Sequence, residues 1–259
     1  MDSPKPMLNR VPEVTVVFWI IKVLATTVGE TAADYLAFTL NLGLAITSYM
    51  MGACLLVALF NQFRLKRYVP ANYWLVVVLI SIVGTLITDR LVDEFGVSLV
   101  TTTVVFGIGL LAVFAVWYAN EKTLAMHSIN TVKREAYYWI AILLTFALGT
   151  AAGDLLSEGT GLGYGQALMI FAILIGLVVG GYYYLRLDGV LGFWLAYILT
   201  RPLGASTGDL LSQSVKNGGL GFGTIDTSIL FLCTIISLVI YQSLRQKKLN
   251  PRASSKLLE

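Results

Sequence analysis

A spacing that recurs four times constrains this chain more than any other feature. Each copy runs from a Trp through nine residues to a Gly and through four more to an Asp, and an aromatic residue precedes each Trp. The copies contain Trp19, Gly29 and Asp34; Trp74, Gly84 and Asp89; Trp139, Gly149 and Asp154; and Trp194, Gly204 and Asp209. One spacing kept four times without a gap predicts four copies of one structural unit, each with a carboxylate at an equivalent place.

Composition indicates that this unit lies in lipid. The chain is 57% apolar and 13% charged, whereas soluble domains carry about 25% charged residues. Apolar stretches of about 20 residues, the length that spans a bilayer, recur throughout. They predict an all-α protein with eight transmembrane helices, near residues 13–36, 42–61, 70–91, 96–119, 135–156, 164–185, 189–211 and 223–243. The first stretch has no small-residue cleavage site, so we expect no removable signal peptide.

The distribution of Lys and Arg predicts the orientation. Fourteen of the 18 lie at the termini and in the connections between repeats, while the opposite connections contain only Arg90 and Lys216. The positive-inside rule then places both termini in the cytoplasm. Four hairpins of one orientation are parallel repeats around an axis along the membrane normal.

The spacing between copies divides the chain further. Successive repeat Trp residues are 55, 65 and 55 residues apart, and the ten extra residues fall in a connector that contains His127. We expect His127 to be solvated. This insertion favours two halves of two repeats over a pseudo-fourfold ring. The segments are an N-terminal segment 1–12, repeats 13–62 and 70–119, the connector 120–134, repeats 135–185 and 189–243, and a basic tail 244–259.

The four Trp residues, each followed by a helical hairpin, carry a resemblance to a known family. The chain resembles bacterial inner-membrane proteins built from four tandem copies of a repeat of unknown function, each with two transmembrane segments and a characteristic tryptophan. The resemblance covers nearly all of residues 13–243. It implies the eight-helix architecture and a multi-pass location in the bacterial plasma membrane, and it implies no activity.

The repeat carboxylates are the candidate site. A rise of about 1.5 Å per residue places each Asp about 22 Å from its Trp, in the outer third of a hydrocarbon core about 30 Å thick. The Gly ten residues after each Trp (Gly29, Gly84, Gly149 and Gly204) and the small residue four further on allow close helix packing, so the Asp should lie near a helix seam. The predicted cation-binding residues are Asp34, Asp89, Asp154, Asp209, Glu30 and Asp226.

Polar side chains one turn into the even-numbered helices are expected to form a second layer at the same depth. They are Thr47, Ser48, Thr101, Thr102, Gln166, Asp226 and Thr227. Two structural alternatives stand beside this interpretation. A carboxylate at a helix end can lie among the headgroups and cap the following turn, and a hydroxyl inside a membrane helix often bonds only to its own backbone. The repeat tryptophans, Trp19, Trp74, Trp139 and Trp194, are expected to be aromatic anchors at the membrane interface.

Two charged residues break the fourfold pattern. Arg201, followed by Pro202, lies in the middle of the seventh predicted helix, and Lys22 lies in the first. A buried cation needs a partner, so we expect Arg201 or Lys22 to pair with Glu30, Asp34 or a neighbouring Asp. This asymmetry argues against a symmetric pore and for alternating access with a charged gate.

The leading hypothesis is therefore a transporter that moves a cation through a carboxylate site between the repeats. We favour a metal ion, with Asp34, Asp89, Asp154 and Asp209 as ligands, because carboxylates and hydroxyls suit hard cations. Proton coupling is a natural extension, since clustered carboxylates share protons.

The alternative hypothesis is a non-transporting membrane module that binds a lipid or a small organic ligand. Its aromatic pocket would be lined by Tyr182, Tyr183, Tyr184 and Tyr197. We find no nucleophile–base pair, metal-protease motif or phosphate loop, so an enzyme is not expected. No resident cofactor is expected either; the predicted partners are the lipid bilayer and the cation, with no nucleic acid.

Overall fold

Eight long helices make up the fold. A computed structural model describes residues 9–249, with side chains described to residue 246. The helices are α1 (Val16–Asp34), α2 (Leu44–Arg64), α3 (Pro70–Asp89), α4 (Leu99–Glu121), α5 (Val132–Asp154), α6 (Tyr164–Tyr184), α7 (Gly189–Ser212) and α8 (Thr224–Leu249). Most of the predicted N-terminal segment 1–12 and of the basic tail 244–259 lies outside the described residues.

Seven of these helices are long and apolar enough to cross a membrane, which is typical of a multi-pass membrane protein. The exception is α7, which has 24 residues and therefore sufficient length. Its composition is too polar, because it contains Arg201, Pro202 and Asp209. These polar residues are buried in protein, so α7 does not need an apolar surface at those positions.

The odd-numbered helices form a closed inner ring. Along the ring α1 packs on α3, α3 on α5, α5 on α7, and α7 again on α1. Each even-numbered helix covers the ring from outside by packing on the odd helix of the next repeat, so that α2 contacts α3, α4 contacts α5, α6 contacts α7 and α8 contacts α1. Every neighbouring pair of repeats makes the same kind of contact, which favours a pseudo-fourfold ring over two separate halves.

Glycine allows the ring helices to approach closely. The Gly ten residues after each repeat Trp contacts the side chain seven residues after the Trp of the next repeat. The pairs are Gly29 with Ser81, Gly84 with Phe146, Gly149 with Arg201 and Gly204 with Thr26. A Cβ at any of these glycines would collide with its partner. The four glycines therefore set the four seams of the ring.

The backbone changes directly after three of the four repeat Asp residues. There the α-helix passes into a π-helical turn, at Tyr35–Thr39, Arg90–Glu94 and Leu155–Gly159. In the fourth repeat α7 stays α-helical to Ser212. Because π-helical turns widen a helix and are frequent at functional sites, this end of the ring is a candidate for the functional site. We call it the aspartate end and the opposite end the tryptophan end.

Candidate functional site

One stripe of each odd helix faces the interior of the ring. It contains every fourth residue from the aromatic before the Trp to the Asp, a spacing that keeps side chains on one helix face. The stripes are Phe18, Lys22, Thr26, Glu30 and Asp34; Tyr73, Val77, Ser81, Thr85 and Asp89; Tyr138, Ile142, Phe146, Thr150 and Asp154; and Phe193, Tyr197, Arg201, Ala205 and Asp209. Apart from Phe193, every member before the Asp is no more than 5% exposed. We call these residues the axial stripe.

Arg201 connects all four repeats inside the ring. Its Nη2 lies within hydrogen-bonding distance of Glu30 Oε2 (2.8 Å) and Thr150 Oγ1 (2.7 Å), and it also contacts Thr85 Oγ1. These three residues occupy the same repeat position, eleven residues after the Trp. The Arg201 Nη1 donates to the Thr26 carbonyl oxygen at 3.0 Å. One cation from the fourth repeat therefore binds the equivalent side chain of each other repeat.

The Arg201–Glu30 contact is also a buried ion pair. The Arg201 side chain is 0% exposed and that of Glu30 is 7% exposed. It is one of the charge pairs expected from the sequence. Removing one partner of a buried pair leaves an uncompensated charge in a medium of low dielectric constant. The pair consequently fixes the position of both side chains.

Lys22 lies deeper in the ring and has no carboxylate partner in the described residues. Its Nζ donates to Thr200 Oγ1 at 3.3 Å and lies 4.2 Å from the Tyr197 ring centroid and 4.3 Å from that of Phe146. Aromatic faces attract a cation, so these rings substitute for an anion. The structure thus brings Arg201, and not Lys22, to Glu30.

The four repeat aspartates lie at the aspartate end, beyond Arg201. Three of them, Asp34, Asp89 and Asp154, are partly exposed, and Asp209 is 7% exposed. They lie within electrostatic range of one another and of Glu30. This layer is therefore the part of the axial stripe that solvent reaches most easily.

The aspartates do not form a ready metal site. Across residues 9–249 no group of three or more His, Cys, Asp or Glu side chains is arranged to hold a metal ion. Direct ligation of a metal by Asp34, Asp89, Asp154 and Asp209 therefore stays a prediction.

A second polar layer escaped the sequence analysis. Four residues beyond each repeat Asp, the positions hold Phe38, Asp93, Glu158 and Gln213. Asp93 and Glu158 are exposed and lie within electrostatic range of Asp34, and Gln213 Nε2 donates to Asp34 Oδ2 at 3.4 Å. Extending the four-residue spacing by one step would have identified these residues.

The even-numbered helices do not supply the expected polar layer. Thr47 and Thr227 are buried, and their hydroxyls donate to the carbonyls of Gly43 and Gly223, each at 2.8 Å. Gln166 and Asp226 are exposed, so Asp226 lies apart from the repeat aspartates. The structural alternative therefore describes these side chains better, because a membrane hydroxyl finds an acceptor on its own helix.

The repeat tryptophans contact protein more than lipid. Trp74, Trp139 and Trp194 are between 2% and 4% exposed, and Trp19 is partly exposed. Their indole N–H groups donate to Gln242 Oε1 (3.0 Å), Glu135 Oε1 (3.4 Å) and the Leu124 carbonyl oxygen (3.0 Å), respectively. For these three, packing against protein accounts for the side chain, and the expected role as interface anchors stays a prediction.

The tyrosines of the alternative hypothesis do not form a pocket. Tyr182, Tyr183 and Tyr184 are 50%, 74% and 87% exposed, whereas Tyr197 is fully buried beside Lys22. The first three lie at the end of α6, where Tyr182 lies beside Gly189 and Gly192 at the start of α7. An aromatic ligand pocket built from these four side chains is therefore not present in this structure.

Four regions of the chain match the family described as Repeat of Unknown Function (DUF347), at residues 17–68, 72–123, 137–187 and 192–248. Each region contains one repeat Trp and the hairpin that follows it. Comparisons with curated proteins and with solved structures found no match. Because the four matches cover well over half of the 259 residues, the chain belongs to this family of tandem-repeat proteins.

Proposed function

We propose that this protein is a transporter that moves a cation along the axis of the helix ring, in the plasma membrane of a bacterium and with both termini in the cytoplasm. The observation that carries the proposal is the continuity of the axial stripe. The stripe starts at four partly accessible aspartates and leads inward to a buried ion pair between Arg201 and Glu30.

Charge supports a cation over an anion at the aspartate end. The accessible layer contains the four repeat aspartates, and Asp93 and Glu158 lie outside them. Carboxylates in a cleft with low-dielectric walls concentrate cations and raise their rate of association. A hydrated metal ion is the favoured substrate, because ions such as Mg²⁺ keep several waters when they bind and so need few direct ligands.

Arg201 is suited to act as the gate. Its guanidinium binds Glu30, Thr85 and Thr150, the side chains that a substrate cation would otherwise contact at this depth. A cation at the aspartates would lie about one helical turn, roughly 6 Å, from the pair. At an effective dielectric constant of 20 two unit charges repel at that distance by about 3 kcal/mol, which weakens the binding of Arg201 to Glu30.

Substitution of the aspartates tests this function. Cells that express the protein are compared with cells that carry Asp34→Asn, Asp89→Asn, Asp154→Asn or Asp209→Asn, and their metal content is measured by mass spectrometry. The wild-type protein should change the content of at least one metal, and each substitution should reduce that change tenfold or more. Asp226→Asn is the matched control, because Asp226 is exposed on α8, away from the ring.

Two results would contradict the proposal. Wild-type behaviour of all four variants would remove the aspartates from the function and favour a non-transporting membrane module. An equal loss of the metal change in Asp226→Asn would show that the effect does not depend on the residues that face the interior of the ring. If Arg201→Ala preserves both folding and transport, the gate lies elsewhere.

A further inference from the structure

Two segments that are not part of the repeat cover the tryptophan end of the ring. One is residues 9–11 and the other is residues 124–129 of the connector. Val11, Met126 and Ile129 from these segments are 1%, 7% and 0% exposed, and they pack in the same core as Tyr73 and Tyr138 of the axial stripe. We call the two segments the cap. The extra residues of the connector therefore close one end of the axis and do not separate two halves.

Backbone hydrogen bonds join the cap to itself and to its surroundings. The Arg10 N–H donates to the Ile129 carbonyl oxygen at 3.0 Å, and the Tyr68 N–H donates to the Asn9 carbonyl oxygen at 3.1 Å. On the far side, the Trp194 indole N–H reaches the Leu124 carbonyl oxygen. The cap thus extends from the connection before α3 to α7.

A buried ion pair fastens the cap to the ring. Arg10 Nη1 lies 2.6 Å from Glu135 Oε2, and the Glu135 side chain is 0% exposed. Gln62 Nε2 donates to Glu135 Oε1 and Asn72 Nδ2 donates to Gln62 Oε1, both at 2.7 Å. These four residues, which we call the latch, come from the cap, α5, α2 and α3. The Glu135 carboxylate therefore accepts hydrogen bonds from the cap and from α2, and Gln62 links α3 to it.

The cap is fastened incompletely. Asn9 Oδ1 and Arg10 Nε are buried and have no hydrogen-bond partner in the described structure. A buried polar atom without a partner opposes the packed state, since it would be hydrated if the segment moved into water. Two such atoms in adjacent residues lower the stability of the closed cap, so loss of the Arg10–Glu135 ion pair should favour its opening.

We propose that the cap is a gate over the tryptophan end of the axis, held shut by the Arg10–Glu135 ion pair. The proposal rests on the proposed function only in that movement of a cation along the axis requires this end to open. With the cap in place, the axial stripe is buried at the tryptophan end and accessible at the aspartate end.

Thiol labelling tests the gate without any substrate. The full chain carries Cys54→Ser and Cys233→Ser, which remove its two exposed thiols, and Val77→Cys as a reporter. Val77 is fully buried, one helical turn beyond Tyr73 on the axial stripe. Inverted membrane vesicles, which expose the predicted cytoplasmic face, are treated with a charged methanethiosulfonate, and the rate of modification of the reporter is measured.

Glu135→Gln and Arg10→Met should each raise the labelling rate tenfold or more. Lys133→Ala is the matched control, because it breaks an ion pair with Glu121 on the same connector, and the Lys133 side chain is 59% exposed. Its rate should stay within twofold of the parent. Labelling of both latch variants at the parent rate would overturn the proposal, and so would an equal increase in the control.

A milder variant keeps the test decisive if Glu135→Gln fails to fold. Asn72→Ala removes the outermost link of the latch at a half-buried position and should raise labelling about threefold. If Asn72→Ala and Arg10→Met both fold and label like the parent, the cap does not gate the axis. Labelling measures opening of the cap without a substrate. Its result therefore supports or overturns the gate whether or not the protein transports a cation.

Discussion

The two ends of the ring differ in composition and in exposure. The aspartate end is made of repeated residues, one Asp from each copy, and it is partly accessible. The tryptophan end is aromatic, buried and closed by segments outside the repeat. Between them lie Arg201, Glu30 and Lys22, which each occur in one copy only. Repeated residues therefore form the accessible acidic surface, whereas residues outside the repeat pattern bury the rest of the axis.

The largest effect should come from the charge pair that separates the two ends. Glu30→Gln leaves Arg201 buried without its anion, and breaking a buried pair from one side lowers stability by about 3–5 kcal/mol. The loss is measured as the free energy of unfolding in mixed micelles. The double variant Glu30→Gln with Arg201→Met should recover most of it. If the double variant is as unstable as Glu30→Gln alone, the loss of stability does not come from the uncompensated charge of Arg201.

A methyl group at a ring seam should have the next largest effect. Gly149→Ala places a Cβ against the side chains of Arg201 and Pro202, and overpacking of this kind typically lowers stability by about 1–3 kcal/mol. Gly176→Ala on α6 is the control, since a Cβ there meets nothing within 4 Å. It should be neutral or slightly stabilising in the same unfolding measurement. If both variants unfold alike, the seams do not depend on glycine.

A smaller effect is expected from the tryptophan end. Trp74→Phe removes the hydrogen bond to Gln242 from a side chain that is 2% exposed, and such a bond contributes about 1 kcal/mol. Trp19→Phe changes a partly exposed residue and should lower the melting temperature less. A larger shift for Trp19→Phe would mean that contact with lipid, and not packing, accounts for the repeat tryptophan.

The smallest effect is expected from an exposed ion pair at the aspartate end. Arg90 and Glu94 lie 2.8 Å apart on the second π-helical turn, with side chains 23% and 33% exposed. Exposed pairs typically contribute about 0–1 kcal/mol. Glu94→Gln should therefore leave the melting temperature within about one degree. A clear loss of stability would show that this ion pair holds the π-helical turn in place.

The sequence predicted the units of this fold better than their arrangement. The repeated spacing identifies four equivalent hairpins because local helix formation and hydropathy determine each one separately. It could not show that α2 packs on α3, because that choice depends on contacts between repeats. The connector was misinterpreted for the same reason. A ten-residue insertion is visible in the sequence, but the burial of Ile129 against the ring is not.

The candidate site was predicted in part. Arg201 and Glu30 were among the expected partners because two buried charges of opposite sign must be compensated. Asp93 and Glu158, which lie in π-helical turns, were missed because the repeat was taken to end at its Asp, one step of the four-residue spacing too early. The buried tryptophans were missed because an aromatic residue at a helix start is equally typical of a membrane interface.

The contact of α8 with α1 has a consequence for biogenesis. The first helix leaves the ribosome at the start of synthesis, but the helix that covers it and the Arg201 that neutralises Glu30 arrive with the last repeat. Until then α1 must reside in the membrane, or in its insertion machinery, with Lys22 and Glu30 uncompensated. Closure of the ring is therefore the final assembly event, and a nascent chain that stops after the sixth helix should be removed by quality-control proteases.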